Sequence, residues 1–245
     1  MLLLGCEKNY QEAEIDSPIV VQMVPDYNNP SKNIELICKT EKIYPCCNFT
    51  LKSKVSNRFK NISIEFKYVI IPDMCLTTFG PAVTTIKLGN LSKGAHKFKT
   101  IVNDVISEGE LIVTDEKYVL KIENPKEIVI AKETLNKIPK NTIWGTIGYH
   151  EKASESMVNT FLDSLQILGA TPSKYLPGDY HAFYIQENGE ILNEPALEYW
   201  FSKRFIFDFS NNIKSIEELL TRYKENYWDK LRIAIYTSDG DYFTN

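Results

Sequence analysis

The residues of this chain best suited to chemistry lie in its second half. Three carboxylates there, Asp179, Glu198 and Asp208, are candidates for a glycan-hydrolysing pair. Such a pair needs carboxyl groups about 5–10 Å apart, a separation that sequence cannot show. Because no set of residues is visibly assembled for catalysis, the sequence predicts a non-catalytic protein, with a glycan-acting enzyme as the least favoured alternative.

Aromatic side chains are dense in the same region. Trp144, Tyr184 and Tyr199, together with the carboxylate of Glu198, could line an apolar or sugar-binding cleft. The alternative is that these residues belong to the core and its rim, which is the more common role of aromatic side chains at this density. The sequence nevertheless predicts a ligand cleft near these four residues without identifying the ligand.

Motifs for metals and cofactors are missing from the sequence. The three histidines, His96, His150 and His181, form no metal-binding spacing, and no phosphate-binding glycine loop is present. The run from Ser238 to Asp241 lacks the ligand pattern of a calcium loop and is typical of a hairpin turn. We therefore expect no metal and no cofactor.

Four cysteines lie in the first half of the chain: Cys38, Cys46, Cys47 and Cys75. A bond between the adjacent Cys46 and Cys47 would be strained. This leaves either Cys38–Cys46 with Cys47–Cys75 or Cys38–Cys47 with Cys46–Cys75, and we expect at least one disulfide. Four buried thiols are the alternative.

The first six residues, Met-Leu-Leu-Leu-Gly-Cys, end in a small residue followed by cysteine. This pattern resembles the end of a bacterial lipoprotein signal, in which the cysteine becomes the lipidated first residue of the mature protein. The resemblance implies lipidation of Cys6, with residues 1–16 forming the signal remnant, lipidation site and polar tether. It also implies an exported protein of the bacterial cell envelope whose first partner is a membrane.

The composition is typical of a folded globular protein with a small net charge. The chain has 245 residues, 43% of them hydrophobic, and a net charge of −4. No long basic run is present, which argues against a nucleic-acid partner. No apolar stretch approaches the ~18 residues of a membrane-spanning helix.

Short apolar runs broken by turn residues fill the first half. Ile62, Ile64, Phe66 and Tyr68 alternate with polar residues, which predicts one buried strand face. Strands at this spacing predict an all-β sandwich over residues 17–138. The pattern from Leu88 to Val113 resembles the closing strands of immunoglobulin-like or fibronectin type III-like modules, which implies a sandwich that presents loops or acts as a spacer.

The second half, residues 139–245, predicts an α+β domain. Amphipathic patterns indicate a helix over residues 152–168 and another with a capping box at Ser215–Glu218. Strands are predicted at 143–150, 181–186, 190–192, 204–209 and 231–236, with a short helix at 194–201. The order gives a repeated β-α-β-β unit or a ferredoxin-like sandwich.

The segments Leu176–Tyr180 and Pro195–Tyr199, together with Tyr184, resemble the turn, strand and acidic-aromatic pattern of GyrI-like domains. The resemblance implies small-molecule binding, with Glu198 nearest to that family's acidic pocket residue. The sequence as a whole predicts an envelope lipoprotein that binds a surface protein, a glycan or a small molecule.

The lipidation hypothesis is tested by replacing Cys6 with serine in the precursor as the cell makes it. We expect Cys6→Ser to abolish acyl labelling and to move the protein from the membrane to the soluble fraction, because serine cannot form the thioether. A Cys47→Ser variant is the matched control and should remain in the membrane fraction. Unchanged labelling of Cys6→Ser would contradict the hypothesis.

Overall fold

The computed structural model describes residues 11–194 and 198–245. Strands make up 49% of the structure and helices 13%. The chain divides into two compact units. In the described part, the first unit comprises residues 11–24 and 34–135, and the second comprises residues 25–33 and 136–245. Residues 25–33 therefore belong to the second unit, although in the sequence they lie between two segments of the first unit.

The first unit is one mixed sheet. Its strands are β1 (Gln11–Ala13), β2 (Ile19–Pro25), β3 (Ile34–Tyr44), β4 (Thr50–Arg58), β5 (Asn61–Ile71), β6 (Gly80–Gly89), β7 (Gly94–Val102), β8 (Val105–Val113), β9 (Lys117–Glu123), β10 (Ile128–Ile130) and β11 (Thr134–Asn136). The strand order is β10-β2-β3-β6-β4-β5-β7-β8-β9-β11, and β1 pairs with β5.

Alternating side chains of this sheet form the core of the first unit. Ile62, Ile64 and Phe66 are buried, as the period of two predicts. Lys67 is an extra residue in β5 opposite the step from Lys52 to Ser53, so the alternation shifts there and Val69 is buried instead of Tyr68. One apolar cluster collects side chains from most of the strands, which confirms a predominantly β, sandwich-like unit.

The predicted immunoglobulin-like sandwich is nevertheless wrong. That fold consists of two separate antiparallel sheets. Here eleven strands form one curled mixed sheet, ten of them along a single path and β1 beside β5. The pairs β2–β10, β4–β6 and β5–β7 are parallel and join the antiparallel ladders into a continuous path. Such pairings depend on contacts distant in sequence, which strand spacing does not reveal.

One disulfide, Cys46–Cys75, is present among the described residues, with the Cα atoms 5.3 Å apart. Cys38 and Cys47 are free, so neither pattern with two bonds forms. Cys38 belongs to β3 and packs into the apolar core, where burial raises the pKa of its thiol to about 12. Cys47 is exposed.

The second unit is built on a smaller sheet. Its elements are β12 (Thr142–Tyr149), α1 (Glu155–Ile167), β13 (Gly178–Asp179), β14 (Tyr184–Ile185), β15 (Phe201–Asp208), α2 (Lys214–Tyr227), β16 (Arg232–Thr237) and β17 (Tyr242–Thr244). The sheet order is β15-β12-β16-β17, antiparallel throughout, while β13 and β14 pair separately.

The two helices pack with one face of this sheet in a single apolar cluster. Phe161 of α1 contacts Phe205 of β15 and Tyr223 of α2, with ring centroids 6.3 and 4.9 Å apart. The predicted capping box does not form, because α2 begins at Lys214, before Ser215. The Asn212 side chain instead accepts a hydrogen bond from the backbone N–H of Lys214.

The predicted α+β domain, with a repeated β-α-β-β unit or a ferredoxin-like sandwich, is also wrong, since strands far outweigh helices and the described part has only two α-helices. The predicted strands at 181–186 and 190–192 shrink to short β14 and an isolated bridge at Ile191. Left-handed backbone at Gly178, His181 and Gly189 turns the chain away from an extended ladder. Residues 195–197 of the predicted helix lie outside the described residues, as does Cys6.

None of the helices in the described segments has the length and apolar character needed to cross a bilayer.

Replacing Phe161 with alanine should remove a central part of the second unit's core. The side chain is fully buried, so we expect the free energy of unfolding to fall by about 3–5 kcal/mol in urea denaturation followed by circular dichroism. Ile167→Ala on the same helix is the control, since Ile167 is exposed and should change stability by about 0.5 kcal/mol or less. Equal effects of both substitutions would contradict the packing.

Candidate functional site

The candidate site lies on the sheet face of the second unit opposite the helices. Alternation along β12 directs Ile143 and Ile147 into the helix-packed core, whereas Trp144 belongs to a separate apolar cluster. Ile138, Tyr175, Tyr180 and several neighbours complete this second cluster. An irregular segment, residues 175–191, therefore supplies the cover for a face that no helix protects.

Two neighbouring rows of side chains cross this face. In the first row, β-sheet register aligns Ile206, Trp144 and Tyr236. The rings of Trp144 and Tyr236 lie within 15° of parallel, with centroids 5.9 Å apart. Phe183 from the covering segment lies 5.7 Å from Trp144, so this row forms an aromatic wall.

The second row aligns Arg204, Thr146 and Ala234. Thr146 and Ala234 are short, so this row leaves space beneath the covering segment beside the aromatic wall. The result is a cleft of about 270 Å³. It is lined by Tyr27, Trp144, Gly145, Thr146, Ala182, Phe183, Ile191, Arg204 and Tyr236.

Hydrogen bonds fix the covering segment in place. The carboxylate of Asp179 accepts a bond from the backbone N–H of His181 at 2.8 Å, which closes a tight turn. The Tyr180 hydroxyl donates to the Leu176 carbonyl at 3.2 Å, and the Tyr180 ring stacks on Phe183 with centroids 4.7 Å apart. The cover is thus held by its own turn chemistry as well as by apolar packing.

Tyr27 supplies part of the rim of the cleft. It belongs to the segment 25–33 and its hydroxyl lies 3.2 Å from Nε2 of His181. The ring of Tyr27 is exposed on its outer side. A residue far from the rest of the site in sequence therefore contributes to the same cleft.

Arg204 is the one lysine or arginine among the lining residues in the described part of the chain. Its side chain is only 22% exposed, and its Nε is buried without a hydrogen-bond partner among the described residues. One terminal nitrogen lies 3.5 Å from the Ala182 carbonyl oxygen, and the other lies 3.4 Å from a carboxylate oxygen of Glu194. Both contacts are long, so the guanidinium is partly desolvated and is incompletely paired by the described residues.

Asn193 holds the strand that carries this arginine. Its side-chain oxygen accepts a bond from the backbone N–H of Arg204 at 2.8 Å, and its amide donates to the Ser202 carbonyl at 3.0 Å. These bonds place Glu194, the next residue, beside the guanidinium. Asn193 is accordingly a positioning residue for the charged end of the cleft.

The structure brings only one of the four predicted cleft residues into the cleft. Trp144 forms its wall, but Tyr184, Glu198 and Tyr199 are not among the lining residues. Tyr184 is exposed on β14, and Glu198 is an exposed residue with a φ of 79°. The ring of Tyr199 lies over Gly148, so closely that a Cβ on this glycine would be 2.5 Å from it.

The three predicted carboxylates are used in different ways. Asp179 closes the turn before His181. Asp208 ends β15, where its backbone bonds to Thr171 in both directions at 2.9 Å. Glu198 lies outside the cleft lining.

Arg204 and Tyr236 were missed from the sequence. A signal was available for Arg204, since it alternates with Phe205 and Phe207 and must point to the opposite face of the strand. Tyr236 gave no comparable signal, because the register that places it beside Trp144 depends on pairing between distant strands.

Other cavities in the structure are less suited to a small ligand. Two larger depressions in the first unit, of about 650 and 580 Å³, are lined mainly by charged and polar side chains of its sheet. Glu65 and Lys67 in the larger one already form an ion pair. No group of three or more metal-ligating side chains comes together in residues 11–194 and 198–245.

Comparison with known proteins gave no match to a family model, to a curated protein or to a solved structure. The immunoglobulin-like and GyrI-like resemblances therefore gain no support from relatives. The candidate site is therefore defined by its lining residues and their geometry.

The free energy of unfolding at alkaline pH should show whether Tyr175, in the segment that covers the cleft, is buried. Burial raises the pKa of Tyr175 to about 12, against 10 for a free tyrosine, although a hydrogen bond with Thr142 lowers it. Between pH 10 and 12 the unfolded chain loses this proton while the folded chain keeps it, so the free energy of unfolding falls. We expect Tyr175→Phe to lose less stability over this range in urea titrations.

Tyr184→Phe is the control for this effect, because Tyr184 is exposed. It should follow the wild-type pH dependence. A Tyr175→Phe protein whose alkaline loss of stability equals that of wild type would show that Tyr175 is not buried as described.

Proposed function

We propose that this chain is a non-catalytic binding protein of the bacterial cell envelope, and that the cleft of its second unit takes a small molecule. The observation that carries the proposal is the partly covered cleft with an aromatic wall and one partly desolvated cation. Small-molecule sites are commonly concave and mostly apolar, with a few polar groups that fix the orientation of the ligand.

The chemistry of the lining favours binding over turnover. Thr146 and Arg204 are its polar non-aromatic side chains, and the tyrosines Tyr27 and Tyr236 stand at its rim. Burial raises the pKa of Tyr236, which keeps its hydroxyl protonated near neutral pH. No carboxylate, cysteine or histidine belongs to the described lining, and the imidazole of His181 meets the Tyr27 hydroxyl only at the exposed rim.

Two features support the envelope as the location. The N-terminal run that ends in Gly5 and Cys6 is typical of a lipoprotein signal. The Cys46–Cys75 disulfide fits a protein that matures outside the reducing cytosol, because such bonds persist mainly in oxidising compartments. A lipid on Cys6 would keep the binding unit at a membrane surface.

The proposal predicts that filling the cleft abolishes ligand binding. A phenylalanine at position 146 would occupy the space between Arg204 and Ala234, so Thr146→Phe should fold but bind nothing there. The measurement is a thermal-shift screen of the full chain with aromatic acids and alcohols, sugars, peptides and aliphatic compounds. A ligand that binds only the folded state raises Tm by mass action.

Thr244→Phe is the matched control. Thr244 pairs with Ala234 in the same row of the sheet, but it does not line the cleft. A compound should raise the Tm of wild type and of this control, and should leave Thr146→Phe unchanged. The proposal fails if no compound stabilises the wild type, or if every hit stabilises Thr146→Phe equally.

A further inference from the structure

We infer that the ligand of this cleft is a planar ring compound that carries a carboxylate, with the ring against Trp144 and the acid on Arg204. This inference rests on the proposed binding function and adds to it the class of ligand. It follows from three features of the second unit: an incompletely paired cation, an aromatic wall, and the sheet register that makes Arg204 a diagonal neighbour of Trp144.

The cation requires an acidic partner. Removing a guanidinium from water is costly unless hydrogen bonds and an opposite charge replace the lost hydration. Arg204 has only two long contacts, one of them to a neutral carbonyl, and its buried Nε has none among the described residues. A carboxylate can accept two parallel hydrogen bonds from a guanidinium, a geometry that these contacts do not satisfy.

Glu194 is a replaceable partner for Arg204. Its side chain is 60% exposed, whereas that of Arg204 is 22% exposed, and the two groups approach no closer than 3.4 Å. An ion pair with one exposed partner contributes little to stability. A ligand carboxylate that arrives through the cleft can therefore displace Glu194 without a large cost in folding energy.

The wall requires a flat apolar group. Trp144 is 8% exposed; its ring is nearly parallel to that of Tyr236 and inclined by 56° to that of Phe183, so three aromatic rings line this side of the cleft. Beside it, the short side chain of Thr146 and the backbone of Gly145 take up little space. A planar ring can pack against these rings by the offset-stacked or edge-to-face contacts that aromatic pairs prefer.

The register sets the length of the ligand. Arg204 pairs with Thr146, and Trp144 is two residues from Thr146 on the same strand and the same face. Arg204 and Trp144 are therefore diagonal neighbours on adjacent strands. Such neighbours lie about 7–8 Å apart, so the acid and the ring of the ligand must be separated by roughly one ring width. An arene carboxylate meets this condition.

The test compares 2-naphthoate with 2-naphthalenemethanol, a neutral analogue of similar shape, by titration calorimetry on the full chain. We expect wild type to bind the acid about 10- to 100-fold more tightly than the alcohol, as a charge-assisted hydrogen-bond pair allows. Arg204→Gln should remove this preference by weakening only the acid. Glu194→Gln should tighten binding of the acid several-fold, because the competing carboxylate is gone.

Arg222→Gln is the matched control for charge. Arg222 is an exposed residue of α2 on the helical side of the sheet, so its loss lowers the net charge without touching the cleft. It should bind both compounds as wild type does. Added salt should weaken binding of the naphthoate and leave binding of the alcohol unchanged.

The outcomes separate this inference from the proposed function. Equal affinity of wild type for acid and alcohol, or an unchanged acid preference in Arg204→Gln, overturns the inference and leaves the binding cleft standing. A screen hit without an acidic group that outcompetes 2-naphthoate from the cleft also overturns it. Absence of any ligand in the whole screen overturns the proposed function itself. Should Arg204→Gln fail to fold, Glu194→Gln and the wild-type comparison still decide.

Discussion

The second unit depends on one constraint: both faces of its central strand must be covered, and only one face has helices. β12 runs between β15 and β16, and alternate residues of it face opposite sides. The side that carries Ile143 and Ile147 is sealed by α1 and α2 through a continuous apolar cluster. The side that carries Trp144 has only an irregular segment to exclude water. This cover leaves a gap of about 270 Å³ beside Trp144 and Thr146, and that gap is the cleft.

Packing on the two faces explains why the gap forms where it does. On the helical face, Gly145 admits the ring of Phe205, since a Cβ there would lie 2.6 Å from that ring. On the other face, Thr146 and Ala234 are too small to reach the cover. The aromatic row beside them supports the cover through Phe183 and so keeps the gap from collapsing. The cleft thus forms because large side chains in one row stand beside small side chains in the next row.

Local features could be predicted from the sequence, whereas pairing between strands that are distant in the sequence could not. The alternation at Ile62, Ile64 and Phe66 identified a buried strand face, because it depends only on neighbours along the chain. The parallel pairs that make one sheet out of the first unit could not be inferred, since their partners are distant in sequence. In the second unit, Trp144 was recognised from its type alone, whereas Tyr199 was placed in the cleft by proximity to other aromatic residues. It packs instead on Gly148, a close approach visible only in three dimensions.

The surroundings of Arg204 show how this unit holds an incompletely paired arginine. A buried charge lowers stability when its partners are poor, and an apolar residue at position 204 would pack more easily against the covering segment. The fold nevertheless provides a dedicated support, since Asn193 holds the backbone of Arg204 and sets Glu194 beside its guanidinium. Glu194 offsets part of the charge, but its exposure keeps the pair weak. The arrangement thus retains a partly buried cation whose described partners are weak, and this lowers stability.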